Sequence, residues 1–423
     1  MRVLFAANPH KSIFQYMVPL AWALRTAGHE VRFASQPAFA SVITQAGLTA
    51  VPVGRDHEKL WAKRASAAEA GRAGIEPPYD AFTDPERATW EYLSAGMAEA
   101  VAEKHRMANF AIIGDLVAFA RHWRPDLVVW DPLTFAGAIA ARACGAAHAR
   151  LLFGIDVHGG VRALYRQLAA ARPEAERVDP LADWLGPYAR KYGGEFTESM
   201  VTGDFTIDQF PASLQDRAPG IDYASVQYLP YGGPASVPQW LWRRPEKPRV
   251  ALTMGLSATD IYGGYTIDTQ DALDALADLD IELVATVADS ERAKLRHIPD
   301  NARLVPFVPM HALAEQCAVA VHHAGAATLA TFARHPVPHL SLHYHYDQPI
   351  LARKLTAQGA GLDLHTSEVT GQSLRDALLR LLKDPSFAER AAALRDETRA
   401  LPTPNEFVPR LEELTARHRG AAG

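Results

Sequence analysis

The chain alternates short apolar runs with longer stretches of helical spacing, and it does so twice. In the first half Val3 to Ala7 is an apolar run and Val18 to Thr26 has helical spacing up to Gly28. Val31 to Ala34 is apolar again, Ala38 to Ala46 helical, and Ala50 to Val53 apolar. Short apolar runs separated by helical stretches predict βαβ units and a parallel sheet. The rhythm resumes after a long helical stretch, Thr89 to His122. Leu127 to Trp130 and Ala149 to Phe153 read as strands around a helix over Phe135 to Ala143. Gly159 to Met200 is helical and polar, broken at Pro173, Pro180 and Pro187, and Phe205 to Phe210 is expected to be the last strand of this half. Glu58 to Glu91 breaks the pattern. It is charged, rich in Ala and Gly, holds Pro77-Pro78 and reads as a mobile surface excursion.

Leu229 to Pro248 holds five prolines and Gly232-Gly233, the density of an interdomain linker. A second alternation follows, with strands at Val250 to Met254, Ile281 to Val287, Arg303 to Phe307, Ala318 to Val321, Pro338 to His343 and Gly361 to Leu364. Its helices cover Ile267 to Ala277, a stretch from His311, one ending before Pro336, Leu351 to Ala357 and Leu374 to Leu382. Phe407 to Arg417 makes a last amphipathic helix. The division is an N-terminal domain, 1–228, a linker, 229–248, a C-terminal domain, 249–402, and a final helical segment, 403–423.

Composition narrows the class. A 423-residue chain with 48% apolar and 22% charged residues fits two or three globular domains. A net charge of −5 gives no basic footprint for nucleic acid. Cys144 and Cys317 stand far apart in apolar surroundings, which fits a reducing cytoplasm and offers no metal spacing. The apolar run before Asn8-Pro9 is too short for a signal peptide, and no run is long enough for a membrane span.

The chemistry concentrates in VHHAGAATLATFARHPVPHLSLHYHYDQ, Val321 to Gln348. A strand turns there through small residues into a helix, leaving backbone N–H groups aimed at one spot beside the positive end of the helix dipole. That arrangement suits a phosphate or diphosphate. His323 adds a charge-assisted donor and Thr328 a hydroxyl. Asp347 and Gln348 follow the next strand, where α/β sheets bind ligands, and a carboxylate beside an amide can grip sugar hydroxyls. Small residues at such a turn often serve close packing alone. The paired histidines and the Asp-Gln together favour a nucleotide-sugar site, and neither GxGxxG nor GxxxxGK[ST] occurs.

With these residues in place, the chain resembles the inverting glycosyltransferases of the GT-B fold, in particular the antibiotic-pathway enzymes that move deoxysugars from TDP donors onto macrolides and aromatic polyketides. The likeness covers nearly the whole chain. It includes MVPLAWALRTAGHEVRFASQPA, AGLTAVPVG, WRPDLVVWDPLTFA, HARLLFG and DPLADWL in the first half. In the second it includes LTMGLS, IPDNARLVPFVPMHAL, VHHAGAATLATF and YDQPILARKL. The resemblance implies two Rossmann-like domains with parallel sheets facing across a cleft, and a last helix that returns to the N-terminal domain. It implies that His323 binds the donor diphosphate with the turn Gly325, Ala326, Ala327 and Thr328. Asp347 and Gln348 would contact the sugar, the backbone region of Phe307 and Val308 would face the thymine, and the turn from Gly255 to Ser257 would lie near the phosphates. No metal is implied, since helix N-termini and histidine take a cation's place.

Two departures stand out. Where the family has Gly-Gly-x-Gly after the second histidine, this chain has Ala324-Gly325-Ala326-Ala327, tolerable if φ stays negative. Where many relatives place a catalytic histidine, two residues after Lys11, this chain has Ile13, which takes no proton. The remaining candidates for the base are Asp131, at a strand end facing the cleft, and His10, in the same loop as Ile13. Asp131 also fits a helix N-cap. Asp156 and His158 are lesser candidates that line the acceptor pocket. A buried carboxylate base would favour a phenolic, aromatic polyketide acceptor over a macrolide, and would allow an O- or a C-glycoside. Two other readings stay open: a degenerate homologue that binds without turnover, and an epimerase acting on the nucleotide sugar. Some relatives need a haem-free cytochrome-P450-like auxiliary protein, and Glu58 to Glu91 with the helix after it is where one would dock. A homodimer is also left open.

Overall fold

A computed structural model of the chain describes residues 1–56, 71–255 and 257–419. The strands are β1 (Arg2–Ala6), β2 (Glu30–Ser35), β3 (Ala50–Pro52), β4 (Leu127–Trp130), β5 (Ala147–Leu151), β6 (Phe205–Asp208) and β7 (Tyr223–Ser225) in the first half. In the second they are β8 (Arg249–Thr253), β9 (Glu282–Thr286), β10 (Ala302–Val305), β11 (Val319–His322), β12 (His339–His343) and β13 (Gly361–His365). They form a seven-stranded sheet in the order β3-β2-β1-β4-β5-β6-β7 and a six-stranded sheet in the order β10-β9-β8-β11-β12-β13. Every pairing is parallel. The central strands are covered on both faces: all four residues of β4, LVVW, are fully buried. Such strands read as unbroken apolar runs.

The halves are stitched through helices. The apolar core of the first sheet takes in Leu329 and Ala330 of the Ala326–Phe332 helix with its C-cap Ala333, and Ile350, Leu351 and Leu355 of the Gln348–Gln358 helix. The final helix, Pro404–Arg419, buries Phe407, Val408, Leu411 and Leu414 in that same core. His29 Nε2 lies 2.9 Å from Glu412 on this helix.

Four details differ from the sequence reading, each for a physical reason. The first helix begins at Lys11, not Val18. Proline ordinarily opens a helix, yet Pro19 sits well inside this one, which spans Lys11–Thr26. The first sheet does not end at Phe205 to Phe210, because the three-residue β7 follows and is too short to show a pattern. A helix over Pro385–Ala400 had no visible signature, since its sequence PSFAERAAALRDETRA buries few large residues.

The fourth difference bears on the site. Within Glu58 to Glu91, residues 58–70 lie outside the described residues, and residues 83–91 do run along the surface, but the stretch from Ile75 to Phe82 packs inward. Ile75, Tyr79 and Ala81 are buried. Gly74 donates its N–H to the Tyr344 carbonyl at 2.6 Å, and its own carbonyl accepts from the Tyr346 N–H at 2.9 Å. This forms a parallel bridge opposite His345. A segment of the first half is thus hydrogen-bonded onto the loop expected to hold the sugar.

Candidate active site

The expected phosphate turn is built on a histidine that touches no ligand position. His322 is fully buried at the end of β11. Its Nδ1 accepts the Ala324 N–H at 2.9 Å, so its proton sits on Nε2, 2.8 Å from His339 Nδ1. Burial keeps both rings neutral, His322 well below the usual histidine range and His339 pushed down to about 3. This pair holds Ala324 at φ +58, a left-handed conformation that alanine rarely adopts. The expectation of a negative φ there is corrected: the strain is met by the His322 clamp.

His323 points the other way. Its ring lies against Gly255, where a Cβ would come within 2.4 Å of Cε1, so only glycine fits. It bonds the Thr253 backbone, burial pushes its pKa down to about 4, and Nδ1 is buried with no partner in the protein. Gly325 caps the following helix without a side-chain bond. The first intrahelical bond runs from Leu329 N–H to the Gly325 carbonyl, which leaves the N–H groups of Ala326, Ala327 and Thr328 without partners in the helix. A diphosphate would satisfy them and Nδ1 together, recharging His323 as it binds.

The sugar loop closes over the far side of this turn. Gln348 Oε1 accepts from the Tyr344 and His345 N–H groups at 3.1 and 3.0 Å, which fixes the loop and leaves the amide nitrogen for a ligand. Asp347 crosses to the first half, where its Oδ2 accepts the Ile155 N–H at 3.3 Å. A Cβ on Gly154 would meet that same oxygen at 2.3 Å. Burial raises the Asp347 carboxyl to about 7. Phe307 is 44% exposed, open for a base to lie on it, whereas the Val308 side chain is buried in the core and leaves only its backbone for such a contact. Ser257 opens a short helix, Ser257–Asp260, after Gly255.

The two expected bases fare differently. Asp131 does end β4, but it is fully buried. Its Oδ2 accepts from Asn8 N–H at 2.8 Å and the Thr134 hydroxyl at 2.7 Å, and its Oδ1 from Leu133 N–H at 2.9 Å. Burial raises its pKa, and these bonds oppose the rise. Three donors occupy its oxygens, and the carboxylate clamps the β1 loop to the β4 turn. His10 is exposed on that loop and Ile13 is buried on the helix that follows. Asp156 is also fully buried, paired with Arg150 at 2.5 Å and capping the Val157–Ala170 helix through Gly159 N–H at 2.8 Å. It is a brace for the pocket, not a lining. His158, two residues on, is half-buried and faces the sugar loop, its Nε2 3.4 Å from the Tyr346 hydroxyl.

Several residues of the cleft went unnoticed in the sequence. Tyr16 is buried on the first helix with an unpartnered hydroxyl, and its pKa is raised by burial, by Tyr228 and by the Asp347 charge. His345 stacks on Tyr262 with ring centroids 3.8 Å apart and has an unpartnered Nε2. Buried polar atoms ordinarily find partners. Tyr16, His158, His323 and His345 each present one that lacks a protein partner, and all four belong to the elements around this cleft. Only an unpaired buried atom marks such residues, and that is invisible in a sequence. Among the described residues there is no group of His, Cys, Asp and Glu placed to hold a metal ion, and no helix is long and apolar enough to cross a membrane.

Comparison with known proteins agrees with this geometry. Residues 22–255 match the family model for the N-terminal domain of erythromycin biosynthesis protein CIII-like proteins, and residues 270–414 match the model for its C-terminal domain. The 10-deoxymethynolide desosaminyltransferase of Streptomyces venezuelae is 46% identical over 99% of this chain and 98% of its own length. The aclacinomycin-T 2-deoxy-L-fucose transferase of Streptomyces galilaeus is 42% identical over 100% of this chain and 98% of its own. The structure of glycosyltransferase VinC in complex with DTDP superimposes with a TM-score of 0.88 at 40% identity, covering 99% of this chain and 100% of that one. The chain belongs to the erythromycin biosynthesis protein CIII-like family and is a GT-B glycosyltransferase of antibiotic biosynthesis.

Proposed function

We propose that the protein transfers a deoxysugar from a TDP-sugar to a polyketide aglycone with inversion. The observation that carries this is the unpartnered His323 Nδ1 beside the open N–H groups of Ala326 to Thr328. The diphosphate docks there, and the negative charge that grows on it as the sugar departs is met by groups already in place. Asp347 and Gln348 hold the sugar hydroxyls, and Phe307 and the Val308 backbone receive the thymine. No metal is part of this reading. Attack from the face opposite the TDP inverts the anomeric centre.

The preference for an aromatic acceptor rested on Asp131 as the base, and its enclosure removes that support. A relative at 46% identity is named for a macrolide substrate and one at 42% for an anthracycline, so the acceptor class proposed is the polyketide aglycone in general. The reaction is placed in the cytoplasm, which suits the free thiols Cys144 and Cys317. An auxiliary partner is placed against the Arg106–Trp123 helix, where Phe110 is 55% exposed.

The test is a panel of TDP-deoxysugars against macrolactone and anthracycline aglycones, read by product mass and anomeric configuration. A glycoside of inverted configuration is expected. TDP release without a glycoside, or retention, overturns the reading, and full turnover by the purified chain alone removes the auxiliary partner.

A further inference from the structure

A cluster of rings around His158 lies outside the donor site. Tyr79 stands 4.4 Å from the His158 ring, centroid to centroid, and its hydroxyl lies 2.5 Å from His105 Nε2. His105 is delivered by a π-helical turn, Val101–His105, set into the long helix, and such turns gather at functional sites. On its other side His158 meets the Tyr346 hydroxyl. Its Nδ1 is buried and has no protein partner. The backbone beneath it is fixed by Asp156, which caps the helix, pairs with Arg150 and accepts the Tyr223 hydroxyl at 2.7 Å.

We propose that His158 is the catalytic residue that takes the proton from the acceptor hydroxyl, in the tautomer whose Nε2–H donates to Tyr346 and whose Nδ1, buried without a protein partner, keeps its lone pair for that proton. This rests on the transferase reading above. Position supports it. Tyr346 immediately precedes Asp347, and Asp347 reaches the Ile155 N–H, three residues before His158. Asp347 and Tyr346 thus bring the loop proposed to hold the sugar against the turn that carries His158.

The step balances simply. The acceptor oxygen bonds to the anomeric carbon and its proton passes to Nδ1. The anomeric C–O bond to the diphosphate breaks, and its electron pair leaves on TDP. Burial and Arg150 keep the imidazole neutral, which is the form that accepts a proton. Tyr79, His105, Tyr346 and Arg150 face it, and none supplies negative charge. The departing diphosphate and an ionised Asp347 supply it during the reaction, and the imidazolium gains stability as the transition state forms.

His158→Gln tests this, assayed beside the wild type on an aglycone with an aliphatic hydroxyl and on one with a phenol. A general base contributes about 10²–10⁴-fold, and it matters less when the acceptor is acidic. The expected result is a kcat lower by about 100-fold or more on the aliphatic acceptor, a deficit at least about tenfold smaller on the phenol, and unchanged TDP affinity. A kcat within tenfold of wild type, or an equal deficit on both acceptors, overturns the role. The wild type keeps the two readings apart. If it transfers sugar while the variant is unimpaired, only the His158 role falls; if it transfers none, the transferase reading falls and takes the role with it.

Discussion

The β5 turn and the β11 turn have the same local architecture and opposite chemistry. Each leads from the end of a central parallel strand into a helix whose N–H groups need an anion. After β5 the chain supplies that anion itself: Asp156 caps the helix and is neutralised by Arg150, both buried. After β11 the cap is Gly325, which offers no side chain, and His323 stands beside it neutral and unpartnered at Nδ1. The first turn is closed and serves the fold; the second is left open for a ligand's charge. One motif, a helix N-terminus at a strand end, becomes a brace or a binding site according to whether the chain keeps an acid there.

Mutation should separate the two turns cleanly. Asp156→Ala strands the buried Arg150 guanidinium, and breaking such a pair costs about 3–5 kcal/mol of stability. His323→Ala should cost less stability than Asp156→Ala, since it removes a ring packed on Gly255 and bonded to the Thr253 backbone but strands no buried charge. Its cost should appear in transfer, a loss of about two orders of magnitude or more, on the order of 3 kcal/mol. Thermal midpoints and kcat/KM on the two variants check both halves of the contrast. A His323→Ala as destabilised as Asp156→Ala, or an unaffected Asp156→Ala, would erase the distinction.

The same contrast explains what was legible in the sequence. Parallel strands buried on both faces announce themselves as apolar runs, so the two sheets were readable. The turn proposed for the phosphates is made of backbone, small residues and one histidine, all adjacent in the chain, so Gly325 to Thr328 and His323 could be named as candidates from the sequence. The acceptor side depends on contacts far apart in sequence. Tyr79 lies in a stretch without periodicity, which the Gly74 bridge to Tyr344 and Tyr346 holds in place. Asp131 shows the limit most clearly. Its place at the end of β4 was right, yet the Asn8, Leu133 and Thr134 donors that occupy its oxygens could not be seen from the sequence.

Asp347 sits between the two turns and should show both kinds of effect at smaller size. Its carboxyl titrates at about 7 in the fold and at about 3.9 in an unfolded chain. A folded pKa above the unfolded one means that its stabilising share is complete below about pH 4 and is lost as pH rises through 7. Asp347→Asn keeps the acceptor for the Ile155 N–H and removes the charge. The thermal midpoint should rise more at pH 8 than at pH 4.5. Affinity for a TDP-sugar should fall about tenfold, the worth of a charged hydrogen bond, while affinity for TDP stays the same. A gain in midpoint that is equal at both pH values, or an equal loss for TDP and TDP-sugar, contradicts this role.

The smallest effect is expected at Ala324, the alanine held in a left-handed conformation. Ala324 is fully buried at φ +58. The left-handed conformation costs an L-residue roughly 1–2 kcal/mol, which Ala324→Gly would recover. Against that, the variant loses a buried methyl, about 0.8 kcal/mol, and pays roughly 0.5–1 kcal/mol more backbone entropy on folding. The terms nearly cancel, so Ala324→Gly should change stability by less than about 1 kcal/mol. Gly255, at φ +74 with His323 Cε1 2.4 Å from a would-be Cβ, has no such cancellation: an added methyl meets both the strain and the ring. Denaturant unfolding and TDP titration of Ala324→Gly beside Gly255→Ala measure the difference. Near-neutrality at 324 with displaced donor binding at 255 would show that the turn's glycines are required where His323 must lie close. A large gain at 324 would show instead that the His322 clamp holds a strain greater than these terms allow.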